Sequence, residues 1–195
     1  MAKLTFRYGT MNSGKSLNLL SIAHNYIENG MDVLILTSKI DDRYGNDIVK
    51  SRTGIQMDAT GINDNDNILD IVEYKKSILG EKLGAVLVDE VQFLSKEQIY
   101  QLTEVVDDLN IPVICFGLRG DYKQQPFESS SVLMTIADNI EESKTICCNC
   151  GQKKAIINAK FSNGKIITEG PQIEIGGNEK YKPLCRKCYK KMLKN

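Results

Sequence analysis

Neither sign of charge is in excess in this sequence: 25 Lys and Arg stand against 25 Asp and Glu. Such a chain has no global field to gather it onto nucleic acid or an anionic membrane, so its partners are expected at defined sites. Long hydrophobic runs are missing too. The apolar stretches Val33-Leu34-Ile35-Leu36, Ala85-Val86-Leu87-Val88 and Val113-Ile114-Cys115-Phe116 have the length of buried strands and are far too short to cross a bilayer. An export signal is hard to fit where a first strand should begin at Leu4, and a cytosolic location is expected. Histidine is nearly absent. The single one, His24, falls on an expected helix and reads as a partly exposed side chain rather than a ligand or catalyst.

What is present alternates in an ordered way. The 195 residues, 42% of them hydrophobic, suit one medium domain with an ordinary core and a small appendage. Residues 4–8 read as a strand, 9–16 as a loop and 16–29 as a helix, with Leu17, Leu20, Ile22, Ala23 and Ile27 spread over a broad apolar face. Strands at 33–36, 85–88 and 113–116 alternate with helices at 67–78 and 96–109, which implies a parallel sheet covered on both faces. Between Ser38 and Asn67 lies a polar stretch that reads either as a mobile lid or as a surface loop with a small hairpin. After Glu142 the pattern changes to closely spaced cysteines and a Gly-rich polar stretch. A boundary is expected near residue 145, giving units 1–145 and 146–195.

Gly9-Thr10-Met11-Asn12-Ser13-Gly14-Lys15-Ser16 satisfies G-x-x-x-x-G-K-[ST] between an expected strand and an expected helix. The glycines let backbone N–H groups and the helix N-terminus face phosphate oxygens. Lys15 is expected to neutralise the β and γ phosphates of ATP and the Ser16 hydroxyl to ligand Mg²⁺. The run Val86-Leu87-Val88-Asp89-Glu90 is an apolar strand ending in two acids. Asp89 is the expected magnesium partner opposite Ser16. Glu90 points to the other side of the strand end, where it can serve as general base toward a hydroxyl acceptor. These motifs define a P-loop phosphotransferase or ATPase without naming the acceptor. No Asn-Lys-x-Asp tetrad occurs, which disfavours a regulatory GTPase.

Cys147-x-x-Cys150 and Cys185-x-x-Cys188 supply four thiolates from two tight turns, which suits a closed tetrahedral and therefore structural Zn²⁺. The metal would pin the base of a loop over residues 151–184. That loop, apolar at Ile166, Ile167, Ile173 and Ile175 and flexible at Gly176-Gly177, reads as a cover over a small molecule; a nucleic-acid-binding zinc ribbon is the second reading. Cys115 reads as a small core residue and Cys148 as a spare thiol.

In this order the motifs resemble the thymidine kinase family of the cytosolic, zinc-containing type. Carrying the resemblance are Gly9 to Ser16, Asp41-Asp42-Arg43-Tyr44, Asp89-Glu90-Val91-Gln92-Phe93, Gly117-Leu118-Arg119 with Pro126-Phe127, the four paired cysteines, and Ile175-Gly176-Gly177 leading to Lys180-Tyr181. The resemblance implies an α/β fold: a P-loop NTPase sheet of RecA-like type, with a small C-terminal zinc unit carrying a lasso-like loop. It implies transfer of the γ-phosphate of ATP to the 5′-hydroxyl of thymidine or deoxyuridine, with Glu90 taking the proton. The nucleotide would lie on residues 9–16 and on Asp89, Glu90, Val91 and Gln92. Met11, Phe93, Leu118, Tyr122, Phe127, Ile173, Ile175, Gly176 and Tyr181 would line the nucleoside pocket. Asp41 and Arg43 would order the lid, and Arg119 is a further candidate for phosphate charge. Where the family's lid has Ser-His-x-Gly, this chain has Ser51-Arg52-Thr53-Gly54. A homotetramer and inhibition by thymidine triphosphate are implied, with no membrane or nucleic-acid partner.

Overall fold

The computed structural model of the chain describes residues 1–41, 45, 47–177 and 179–194. The three apolar runs form the centre of its sheet. They lie in β2 (Asp32–Ser38), β6 (Leu83–Asp89) and β7 (Val113–Gly117), joined by β1 (Leu4–Gly9), β5 (Thr60–Ile62) and β8 (Asn139–Ser143). All pairings are parallel, in the order β5-β2-β6-β7-β1-β8. Thus β7 stands between the phosphate-loop strand and the carboxylate strand, the RecA-like arrangement.

Successive side chains leave opposite faces of a strand. Leu34, Leu36, Val86 and Val88 therefore enter one apolar cluster, and Ile35, Ala85 and Leu87 another. The first is closed by α2 (Ile68–Leu79), α3 (Lys96–Asp107) and α4 (Glu128–Ile136) through Ile68, Val72, Ile99, Leu102 and Leu133. The second is closed by α1 (Lys15–Glu28) through Leu19, Leu20 and Ala23. Burial on both faces is why these strands read as continuous apolar runs. Two helix starts are fixed by side chains: the Asn67 carboxamide accepts from Leu69 N and Asp70 N, and Ser95 and Gln98 form a reciprocal capping box. Among the described residues no helix is long and apolar enough to cross a membrane.

Three expectations change in detail. The buried face of α1 is narrower than its sequence suggests: Leu17, which borders the cavity described below, and Ile27 are exposed. The polar stretch 38–67 holds a hairpin, β3 (Ile48–Lys50) with β4 (Gln56–Asp58), and then β5, which extends the main sheet. Val49 of the hairpin is anchored in the α1 cluster. Lastly, much of the expected covering loop is sheet. β9 (Ile157–Ser162), β10 (Lys165–Ile167) and β11 (Tyr181–Leu184) pair antiparallel in the order β10-β9-β11, followed by α5 (Arg186–Met192). Ile166 packs into the cysteine cluster with Ile157, Ala159 and Leu184 rather than over a ligand. Among the described residues, 168–177 and 179–180, here called the lasso, lie outside the helices and strands.

Candidate active site

The phosphate loop is shaped by close packing at its first residue and by left-handed backbone within it. A Cβ on Gly9 would collide with the Ser13 hydroxyl and lie 2.5 Å from Ser143 O, so only glycine fits where β1 ends against β8. Asn12 (φ 64°) and Gly14 (φ 77°) turn the chain into α1, whose first residue is Lys15. Lys15 is nearly buried, with its ammonium donating to Thr10 O at 3.0 Å. The N–H groups at the start of α1 and this ammonium together give a positive cradle.

Facing it are the two acids at the end of β6, Asp89 and the next residue, Glu90. Asp89 is almost fully buried. Burial, and then the neighbouring Glu90 charge, push its carboxyl up to about 7, against the opposing pull of a Ser16 hydrogen bond and of Lys15. Ser16 and Asp89 are thus in contact, and a hydroxyl beside a buried carboxylate matches the hard oxygen donors magnesium takes. Glu90 has the left-handed φ of 49°, a strain of about 1–3 kcal/mol for a non-glycine residue. Its carboxylate accepts from Gln92 Nε2 at 2.6 Å, while Gln92 Oε1 accepts from Leu118 N at 2.9 Å. Gln92 therefore clamps Glu90 to the end of β7. Gly117 leaves room for that clamp, since a Cβ there would stand 2.6 Å from Gln92 Oε1. Gly117→Ala is accordingly expected to displace Gln92 and cut kcat about tenfold, with little change in melting temperature; steady-state kinetics and a thermal melt check this.

Both halves open on one cavity of about 280 Å³. Met11 to Ser16 and Asp89, Glu90 and Gln92 form one end. Phe93, Leu118, Tyr122, Phe127, Ile173, Ile175, Gly176 and Tyr181 line the rest. Phe93 and Phe127 meet edge to face with ring centroids 6.1 Å apart, and Tyr122 and Tyr181 lie 6.4 Å apart. Asp41 and, from the hairpin turn, Ser51, Arg52 and Thr53 also border it. That turn is internally held: Ser51 Oγ donates to Ile55 O at 3.1 Å, and Gly54 N to Ser51 O at 3.1 Å.

The lasso is tied down at several points. Tyr122 Oη donates to Glu169 O and Pro171 O at 3.1 and 2.9 Å, Lys123 Nζ to Gly170 O at 3.1 Å, and Gln172 Nε2 to Pro126 O at 3.2 Å. Tyr181 Oη donates to Glu174 O at 2.7 Å; burial, reinforced by the nearby Glu174 charge, raises that phenol to about 12, so it stays a donor at neutral pH.

Some expected residues fall elsewhere. Val91 has its side chain wholly in the core, packed beside Gly117, so it offers a nucleotide no side-chain contact. Gly9 and Thr10 border a second cavity with Arg119, whose guanidinium lies 5.4 Å from the centre of the Tyr8 ring. Arg119 is therefore directed at Tyr8 and does not line the principal cavity. Arg43, with Asp42 and Tyr44, lies outside the described residues. His24 is exposed on α1, Cys115 is a fully buried thiol, and Cys148 is exposed. Sequence reasoning missed Asn158 and Lys160. Asn158 is buried and its Oδ1 accepts from Met11 N at 2.8 Å, which ties β9 to the phosphate loop. The signal was a polar residue at every second position of Ile157-Asn158-Ala159-Lys160, inside a stretch that looked like loop.

The four paired cysteines converge. Their sulfurs all lie within 4.8 Å of one another, with Cys150 and Cys185 at 4.0 Å. Tetrahedral zinc–thiolate bonds of about 2.3 Å imply sulfur separations of about 3.8 Å, so the donor set fits zinc. Cys147, Cys185 and Cys188 are buried, and Asn149 Nδ2 donates to Cys188 Sγ at 3.2 Å.

A phosphate loop feeding a helix N-terminus, a hydroxyl–carboxylate pair beside it and a second carboxylate in the same cavity define a P-loop phosphotransferase. The chain belongs to the thymidine kinase family, whose model, described as "Thymidine kinase", matches residues 2–189. A thymidine kinase of Streptococcus pyogenes serotype M3 is 50% identical, covering 97% of this chain and 97% of that protein. One from Francisella tularensis subsp. holarctica is 49% identical over 97% and 98%, and one from Lactiplantibacillus plantarum 48% over 97% and 96%. Membership makes the chain an ATP-dependent thymidine kinase.

Proposed function

We propose that the cavity receives thymidine or deoxyuridine with its 5′-hydroxyl at Glu90 and the γ-phosphate of ATP on the phosphate loop. The observation that carries this reading is the meeting of Glu90 with Lys15 and Ser16 in one cavity that Phe93, Tyr122, Phe127 and Tyr181 also line. Glu90 takes the hydroxyl proton, Lys15 and the loop amides balance charge on the transferring group, and the lasso excludes water. Phe93, Phe127, Tyr122 and Tyr181 embrace the base, with Met11 and Leu118 beside them and main-chain groups of residues 173–176 available as hydrogen-bond partners. Gly9 to Ser16, with Asp89, Glu90 and Gln92, make the nucleotide end, and Val91 supports it from the core.

Ser16 and Asp89 would hold Mg²⁺, which would supply positive charge to offset that of the phosphates. Cys147, Cys150, Cys185 and Cys188 would hold Zn²⁺, a structural ion because four thiolates leave no open position. The reading divides the chain near residue 145, and it includes a cytoplasmic homotetramer inhibited by thymidine triphosphate. It includes no nucleic-acid partner, in keeping with the balanced charge.

The test is direct: incubate the protein with Mg-ATP and each nucleoside separately, and measure ADP and nucleoside monophosphate. Equal amounts of ADP and thymidine monophosphate are expected; no monophosphate from any pyrimidine deoxynucleoside overturns the reading. For the zinc, Cys185→Ser is expected to leave the metal substoichiometric by elemental analysis and to lower the melting midpoint by about 10 °C or more. Full metal content in that variant would remove Cys185 from the ligand set.

A further inference from the structure

Beneath the lasso lies a charge cluster used neither by the phosphate end nor by the cysteines. Lys160 on β9 is only 8% exposed, where a lysine is rarely found without a partner. Its ammonium pairs with Glu174 of the lasso and sits 4.7 Å from the centre of the Tyr122 ring. The other Glu174 oxygen accepts from Lys180 Nζ at 3.2 Å, and that ammonium also donates to Ile175 O at 3.2 Å. The Lys160 and Lys180 contacts hold the Glu174 carboxyl below the usual carboxylate range. Residue 174 is thus gripped at both carboxylate oxygens and, through Tyr181, at its carbonyl. Its neighbours Ile173, Ile175 and Gly176 line the cavity.

The two lysines are not equivalent. Lys180 stands at the end of the lasso, where its carbonyl accepts from Phe161 N of β9, so its bond to Glu174 ties the segment back to its own exit. Lys160 belongs to a strand whose next residue but one toward the N-terminus, Asn158, holds the phosphate loop. The Lys160–Glu174 pair therefore joins the lasso to a strand that is already fixed to the catalytic end. Tyr122 and Gln172 secure residues 169–172, but residues 173–177, which include two consecutive glycines, have no other charged tie to β9 among the described residues.

We propose that Lys160 and Glu174 are positioning residues for nucleoside binding: their ion pair holds the lasso backbone at residues 173–176 in the place where the base is met. This rests on reading the cavity as a nucleoside site. A segment ordered before the ligand arrives binds more tightly, because its ordering is not charged against the binding energy. Without Glu174, Lys160 is left desolvated and unpaired; without Lys160, residue 174 keeps only the bond of its carboxylate to Lys180 and of its carbonyl to Tyr181. Either loss is expected to act on substrate affinity, since both groups belong to β9 and the lasso rather than to the phosphate loop.

The experiment uses the full-length zinc-loaded protein and the variants Lys160→Gln, Glu174→Gln and the double. Two readouts are taken: steady-state kinetics with thymidine at saturating ATP, and amide hydrogen exchange over residues 170–177. Each single change is expected to raise KM about tenfold, with kcat within about threefold. The double should match a single variant rather than multiply the two effects. Exchange over 170–177 should quicken in both singles while β1 is unaffected. Unchanged KM and exchange, multiplicative KM effects, or a fall in kcat at constant KM would each overturn the proposal. Glu174→Gln lies on a surface segment and keeps the test available if Lys160→Gln fails to fold. Should the wild-type protein make no monophosphate, the nucleoside reading fails, and unaltered exchange in Glu174→Gln separately overturns the pair's positioning role.

Discussion

Glu90→Gln is expected to slow thymidine phosphorylation by about 10²–10⁴-fold while leaving ATP binding and the fold intact. Gln keeps the size of the side chain and a carbonyl oxygen that can still meet the hydroxyl, so the substrate stays placed; what is lost is the group that accepts its proton. The geometry says why the loss should be large. Glu90 is held in a strained left-handed conformation (φ 49°) and clamped by Gln92 at 2.6 Å, with Gln92 itself fixed to Leu118 N. Strain maintained by such a chain of bonds is characteristic of a group whose placement matters to function. Asp89 is no substitute, because it is buried and turned toward Ser16 and Lys15. Single-turnover formation of thymidine monophosphate measures the effect, with calorimetric ATP binding as the control. A loss of less than tenfold would move the base role to another group.

The phosphate end was legible in the sequence because its requirements are local. Gly9, Gly14, Lys15 and Ser16 lie within eight residues, and a strand and a helix must flank them for the loop to work. The carboxylate strand was legible for the same reason: an apolar run ending in Asp89-Glu90 carries both its burial and its chemistry. Four cysteines in two pairs announced a cluster, and their sulfurs do converge. Asn158, Lys160 and Gln92's clamp on Glu90 were not legible, because each depends on partners far along the chain: Met11 for Asn158, Glu174 for Lys160, and Leu118 for the far side of Gln92. Their surroundings misled as well. A lysine and an asparagine alternating with Ile157 and Ala159 look like a polar loop until β11 pairs on one side and β10 on the other. Arg119, a candidate for phosphate charge, instead has its guanidinium 5.4 Å from the centre of the Tyr8 ring, a partner far away in the chain. The nucleoside wall was reached only through family resemblance; nothing in the spacing of Phe93, Tyr122, Phe127 and Tyr181 separates a binding wall from a core.

Lys15→Ala should abolish turnover, by about 10³-fold or more, in a protein that melts within a few degrees of the wild type. The fold survives because alanine is the best helix former and Lys15 opens α1 without entering its apolar face, which is Leu19, Leu20 and Ala23. Catalysis does not survive, because the lysine is the one ammonium inside the phosphate loop and it is nearly buried, where a charge acts through little intervening water. Its present contact, a bond to Thr10 O at 3.0 Å, keeps it against the loop rather than in solvent. The amides at the start of α1 remain in the variant and still attract phosphate, so ATP binding should weaken rather than vanish. Thymidine, proposed above to meet the aromatic and lasso end of the cavity, should bind as before. Measuring the three quantities together, by monophosphate formation and by calorimetry with each ligand, separates loss of transition-state charge balance from loss of the site. Undiminished turnover in this variant would take the loop out of the mechanism, whatever else the cavity binds.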